Sequence, residues 1–159
     1  MTVFVCVACD RPITGELTGL PEVPERPMDQ GHRRADGSRQ ATPTVPVGFF
    51  AVDPEPWGAP LVPSAECLAV FPGGPAVADP AGPGFLVSGG PCDTVVLHPD
   101  DASGLRMHPD WRHVGCCGTT GRGGPNRLCP CGAEVATLVS DCSTPYELHL
   151  DPGRVRAVR

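Results

Sequence analysis

The chain has 159 residues, enough for one domain, with 18 acidic side chains against 12 basic ones and a net charge of −6. Its one basic knot, "HRR" at 32–34, is flanked by Asp29 and Asp36 and reads as a solvated loop, so no nucleic-acid partner is expected of a chain without clustered cations. No apolar run approaches the ~20 residues that span a bilayer, and "MTVFVCVACD" lacks the basic and long apolar regions of a secretory signal, so no membrane role and a cytoplasmic location are expected.

All 12 basic residues are arginine, while Ile13 and Asn126 are the only residues of their kinds. With 21 Pro and 20 Gly, this resembles the codon bias of a GC-rich bacterial genome, so part of the Pro/Gly excess is discounted as a sign of disorder. Hydrophobic residues make up 40% and aromatics 5%, which predicts a thin core built from strands.

In chain order, "VFVCVA" at 3–8 predicts a strand that ends in the C-x-x-C of Cys6 and Cys9, with "RPITGEL" at 11–17 as its return strand. Residues 21–46 carry no apolar period and predict a long exposed loop with freedom to move. "VPVGFFAVDP" at 45–54 predicts a strand, with Gly48 as a bulge or close-packing site. Three prolines keep 53–63 from being helical. "ECLAVFP" at 66–72 predicts another strand, and 72–84 a loop. "FLVS" at 85–88 and "DTVVLH" at 93–98 predict strands joined as a hairpin by "GGPC". "PDDASGL" at 99–105 offers one helical turn, capped by Asp100 or Ser103. "EVATLVS" at 134–140 and "YELHLD" at 146–151 alternate as a terminal hairpin. The fold class is therefore mainly β: a small single domain, 1–159, of about six to eight short antiparallel strands with long Pro/Gly-rich loops.

Nine cysteines are the main chemical signal. In a reducing compartment they favour metal ligation over disulfides, and their odd number forbids complete pairing within the chain. Zinc takes four ligands in a tetrahedron and prefers thiolate sulfur. Cys6 and Cys9 have the spacing of a zinc knuckle, whose turn puts two sulfurs on one side with backbone N–H groups aimed at them. "LCPCG" at 128–132 is the best second half, with Cys129, Cys131 and a glycine where the turn needs a positive φ, although its C-x-C is one residue short. These four residues are the predicted metal ligands, with Cys116, Cys117 and Cys142 as alternates; the adjacent pair "CC" points to opposite sides of an extended chain, so one of the two would join a given site. Such a zinc would clamp the N-terminal part to the C-terminal part. Cys67 and Cys92 stand alone and read as buried small hydrophobes. A thioredoxin-like redox role ranks below zinc, because nothing around "CVACDRP" resembles a βαβ unit.

On "FVCVACDRPI" (4–13) and "RLCPCGAEVA" (127–136), the chain resembles the β-tent folds of Yippee-like proteins, the ligand-binding domain of cereblon and methionine-R-sulfoxide reductases. In those families two distant C-x-x-C knuckles clamp one zinc between sheets. The string from "GFFAVDPEPWGAP" through "TVVLHPDDASGL" to "GCCGTTGRGGPNRLCPCGAEVATLVSDCSTPYELHLDP" resembles a group of uncharacterised actinobacterial cysteine-rich proteins. The first resemblance implies a ribbon- or tent-like zinc clamp; the second implies kinship without an activity. No reductase cysteine motif is present, and two tryptophans, Trp57 and Trp111, cannot build a three-tryptophan cage.

His98, His108 and His113, with Asp100, Asp101 and Asp110, could form a His/carboxylate metal site, although a polar loop is the favoured reading. "GTTGRGGPN" at 118–126 is no P-loop, having no Lys-Ser/Thr. The leading expectation is a small cytosolic protein with a structural zinc held by four cysteines, which binds a protein or small-molecule partner. A metal- or thiol-dependent enzyme using Cys116, Cys117 and Cys142 or the His98/His108/His113 region is one alternative, and a redox or metal sensor another.

Overall fold

Proline and glycine interrupt the extended runs every few residues, so the strands are short and many. The computed structural model describes residues 1–27, 32–33, 35–110, 112 and 114–159. Among them run fourteen strands: β1 (Val3–Cys6), β2 (Thr18–Gly19), β3 (His32–Arg33), β4 (Arg39–Gln40), β5 (Phe49–Asp53), β6 (Leu61–Ser64), β7 (Val77–Ala78), β8 (Phe85–Ser88), β9 (Thr94–Leu97), β10 (Arg106–Met107), β11 (Arg127–Leu128), β12 (Glu134–Val139), β13 (Glu147–Leu150) and β14 (Val155–Val158). Eight of them have four or more residues, and the one helical element among the described residues is a 3-10 turn at Pro99–Ala102. The mainly β fold class holds.

The central sheet has seven strands in the order β10-β11-β12-β13-β9-β5-β2, antiparallel except for the short β2–β5 pair. β1 pairs with β14, so the first and last strands form a two-stranded sheet with Val3 opposite Val158 and Cys6 opposite Val155. β6, β8 and β7 form a third sheet, and β3 and β4 a small hairpin.

Side chains alternate across a strand, so the two faces of the central sheet can be assigned from register. Phe50, Val95, Leu97, Leu148 and Leu150 turn to one face and pack with Phe4, Cys6, Leu17, Cys129, Val135 and Val155 in the main core. Thr94, Val96, Glu147 and His149 turn to the other face, and they too are buried. Trp57 helps cover that second face, its ring stacked on His149 with centroids 3.6 Å apart and planes at 14°. Trp57 also joins Val70, Phe71 and Val139 in a smaller core.

Several expectations need correction. "RPITGEL" makes only bridges from Pro12 to Val5 and from Leu17 to Thr2; the ladder partner of β1 is β14. "ECLAVFP" is not a strand. Val70 N–H donates to Pro75 O and Gly74 N–H to Phe71 O, which folds the run into a turn that buries Val70 and Phe71 against Trp57. β8 and β9 do not pair as a hairpin, because they belong to different sheets. The chain between them passes over the Trp57 backbone, with Trp57 N–H donating to Pro91 O and a Cβ on Gly90 colliding with the Trp57 carbonyl. Residues 28–31 and 34 of the expected 21–46 loop, and with Arg34 part of "HRR", lie outside the described residues. The remainder is less exposed than expected: Ala41, Thr44 and Val45 are buried, and Arg26 reaches inward to Asp53 and Glu147.

Candidate metal centres

The first cysteine turn follows directly from β1. Cys6 N–H donates to Arg11 O and Asp10 N–H donates back to Cys6 O, closing a tight loop around Val7, Ala8 and Cys9. The Ala8 N–H points at Cys6 Sγ. Asp10 takes a left-handed φ of 57°, which aspartate tolerates better than most residues, and its carboxylate accepts from Arg156 on β14 at 2.7 Å.

The second turn, between β11 and β12, repeats this plan with one residue fewer. Cys129 N–H donates to Ala133 O, and Gly132 N–H donates to Cys129 O. The Cys131 N–H points at Cys129 Sγ and the Ala133 N–H at Cys131 Sγ. The residue after the second cysteine again turns left-handed: Gly132 has φ 96°, and a Cβ there would meet nothing within 4 Å, so it is backbone conformation and not room that calls for glycine. Deleting one residue therefore keeps both the left-handed step and the N–H groups aimed at sulfur.

These turns bring four thiols together. The Sγ atoms of Cys6, Cys9, Cys129 and Cys131 all lie within 4.8 Å of one another, with Cys6–Cys131 at 3.8 Å and Cys9–Cys129 at 3.6 Å. A tetrahedral ion with metal–sulfur bonds of about 2.3 Å has sulfurs about 3.8 Å apart, whereas a disulfide needs about 2.0 Å. All nine cysteines are free thiols. The first cysteine of each turn is buried in the main core and the second is exposed. Burial pushes the Cys129 thiol up to about 12 and raises Cys6, whereas the Ala133 N–H, helped by neighbouring thiols, lowers Cys131 to about 7. A cation among these sulfurs would displace the protons the buried pair retains.

The three alternates gather elsewhere. Cys116, Cys117 and Cys142 lie with Asp141 in a second group whose potential ligand atoms are also within 4.8 Å of one another. The two groups are separate, so Cys116 and Cys117 neither complete nor displace the first quartet. Hydrogen bonds with Cys116 and Cys117 push the Cys142 thiol up to about 12, while the Arg39 N–H lowers Cys117. Both groups could hold a metal ion.

The histidine hypothesis does not assemble: among the described residues, neither metal-capable group contains a histidine. His113 lies outside the described residues. His98 and His108 instead serve a repeated "HPD" turn. In each, Nδ1 accepts the N–H of the aspartate two residues on, Asp100 or Asp110, at 3.1 Å. The expected cap of the turn at 99–102 is thus His98, not Asp100, with Ser103 at its C-terminal end. His108 Nε2 lies 3.1 Å from Glu134, and Asp101 accepts from Gly48 N–H at 2.9 Å. Cys67 and Cys92 are exposed, not buried, because the segments that carry them are irregular turns over the surface.

Sequence reading missed a buried charge network on the second sheet face. Arg26 bonds Asp53 at 2.6 Å and Glu147 at 2.8 Å, Thr44 donates to Glu147 at 2.6 Å, and Glu147 sits 2.6 Å from His149 Nε2. A carboxylate only accepts, so Nε2 carries the proton and Nδ1 accepts from Thr94 at 2.9 Å. Burial opposes the Glu147 charge, but His149, Arg26 and Thr44 outweigh it and hold the carboxyl below its ordinary range. Burial keeps the His149 ring below its ordinary value despite Glu147. The available signal was the Glu147/His149 alternation with two leucines, which also fits a solvent-facing edge.

No family model matches the chain, and no curated protein or solved structure resembles it closely enough to count as a match. Neither resemblance drawn from the sequence is supported at the level of a family. What stands, among the described residues, is an all-β chain with two cysteine groups able to hold metal, in which no helix is long and apolar enough to cross a membrane.

Proposed function

We propose that this is a zinc-binding β protein in which Cys6, Cys9, Cys129 and Cys131 hold one structural Zn2+, and that the scaffold so fixed binds a protein or small-molecule partner in the cytoplasm. The observation that carries the reading is the sulfur quartet, whose 3.6 and 3.8 Å separations match the edge of a tetrahedral thiolate site. Four soft donors in a tetrahedron favour zinc or iron over magnesium or calcium, which take oxygen ligands. All four positions belong to protein sulfur, leaving none for a substrate, and this supports a structural rather than a catalytic metal. Nine free thiols fit a reducing compartment. The net charge of −6 speaks against nucleic acid as the partner.

Metal analysis of protein purified without added metal tests the assignment, with Cys9→Ser and Cys131→Ser as exposed-ligand variants. Each variant is expected to lose about one zinc per chain relative to wild type. Unchanged metal content in both would refute the ligand set, and iron in place of zinc would refute the metal.

A further inference from the structure

The second cysteine group is built with as much local detail as the first. Gly115 N–H donates to Gly118 O at 2.6 Å, so "GCCG" forms a tight turn with Cys116 and Cys117 at its tip. This tip lies against the "SDC" turn that follows β12. A Cβ on Gly115 would collide with the Asp141 carboxylate, and one on Gly118 with the Ser140 side chain and carbonyl. Both flanking glycines are therefore needed for the approach. The turns are joined by Ser140 N–H to Thr119 O at 2.9 Å and Thr119 N–H to Ser140 Oγ at 3.2 Å.

The sulfurs converge within this frame. Cys116 lies 3.2 Å from Cys142 and 3.6 Å from Cys117. Asp141 is buried, and its two carboxylate oxygens face different thiols: Oδ1 is 3.9 Å from Cys116 and Oδ2 is 3.9 Å from Cys142. Cys117 N–H holds Oδ1 at 2.9 Å and the Ser143 hydroxyl holds Oδ2 at 3.0 Å. The Arg39 N–H of β4 donates to Cys117 Sγ, supplying the backbone donor that a ligating thiolate uses.

We propose that Cys116, Cys117 and Cys142, together with the Asp141 carboxylate, form a second metal site, open to solvent, for a thiophilic divalent cation of the zinc class. Three sulfurs exclude magnesium and calcium, which require oxygen shells. Three thiolates and one carboxylate satisfy zinc, with the carboxylate as the exchangeable fourth donor. The two sites differ in access. The quartet has two buried ligands within the main core, whereas Cys116 is exposed and Cys117 and Cys142 are half-buried. The second site therefore exchanges its metal with solvent while the first retains its own.

Zinc release from the full chain to a coloured chelator separates the sites. Wild-type protein loaded with zinc is expected to hold about two ions per chain, one released promptly and one slowly. A Cys116→Ser/Cys142→Ser variant should lose only the prompt ion, and Asp141→Asn should weaken that ion's affinity about 10- to 100-fold. Equal zinc content and equal release in wild type and the double variant would overturn the proposal. So would a Cys116–Cys142 disulfide in protein purified without oxygen that takes up no second zinc. Should the double variant fail to fold, alkylation mapping of wild type gives an independent answer. Zinc should slow modification of Cys116, Cys117 and Cys142 and leave the exposed Cys67 and Cys92 unchanged, and equal rates at the three thiols with and without zinc would overturn the proposal. A single retained ion that protects only the quartet would sink the second site and leave the first intact.

Discussion

Removing the metal proposed for the Cys6/Cys9/Cys129/Cys131 quartet tests how much of the stability of this chain depends on one cross-link. Cys9 and Cys129 are 120 residues apart, so a metal joining them closes a loop of that length in the unfolded chain. The loop-closure relation for a covalent cross-link gives about 5 kcal/mol for such a loop. A chain of this size has a total stability of roughly 5–15 kcal/mol, so the clamp is comparable with the whole. At 2–4 °C per kcal/mol, thermal unfolding should fall by roughly 10–20 °C on metal removal. The assay is circular dichroism melting before and after a strong chelator, with metal content measured on each sample and excess zinc added back. An unfolding midpoint that stays within a few degrees once the quartet's metal is gone would show that packing and the β1–β14 ladder alone hold the two ends, and the clamp argument would fail.

Glu147→Ala leaves Arg26, Thr44 and His149 facing an empty buried site, and urea unfolding should report a loss of about 3–5 kcal/mol; a loss under 1 kcal/mol would show the network to be solvated. Stability should also fall with acid in two stages. The unfolded His149 ring takes up a proton below about pH 6.5 while the folded ring, held lower by burial, does not, so the folded state loses ground as pH drops from there. The Glu147 contribution is complete above about pH 4.3 and disappears as pH falls through its depressed folded value. A His149→Gln control isolates the first stage, and a urea midpoint that rises for wild type alone between pH 7.5 and 5.5 would mean the buried ring is charged. Gly121→Ala places a Cβ 2.9 Å from the Trp57 ring at a φ of 74°, so a loss of about 1–3 kcal/mol is expected, with wild-type stability as the contrary result. Cys67→Ser and Cys92→Ser should change stability by less than about 0.5 kcal/mol and leave zinc content unaltered, because both thiols are exposed.

Features encoded over a few residues were legible. The strands β1, β5, β8, β9, β12 and β13 fall where β-branched and aromatic runs predicted them, and Gly132 adopts the left-handed turn its place after "CPC" required. Partner choice was less legible, because pairing depends on residues far apart in the chain. "RPITGEL" looked like the partner of β1 by proximity, but "VRAV" at 155–158 takes that role. "FLVS" and "DTVVLH" looked like a hairpin, but Trp57 pulls the link between them across its own backbone and separates the sheets. The three extra cysteines were visible as residues, whereas their frame was not: its key members are Asp141, Gly115 and Gly118, whose role is close approach. The Arg26–Glu147–His149 network was hidden for a similar reason. A polar residue alternating with leucine reads as solvent-facing until a tryptophan from elsewhere covers it.

The pairing of β1 with β14 also sets an order of events during synthesis. Cys6 and Val3 are made well ahead of their ladder partners, Val155 and Val158, which follow roughly 8 to 30 s later at 5–20 residues per second. Cys129 and Cys131 emerge shortly before those partners. Throughout that interval the nascent chain carries an apolar, unpaired strand and two thiols with nothing to join. Pairing of β1 is thus a step that waits for a strand made about 150 residues later, and a cation joining Cys6 to Cys129 would enter only once both cysteine turns have been made.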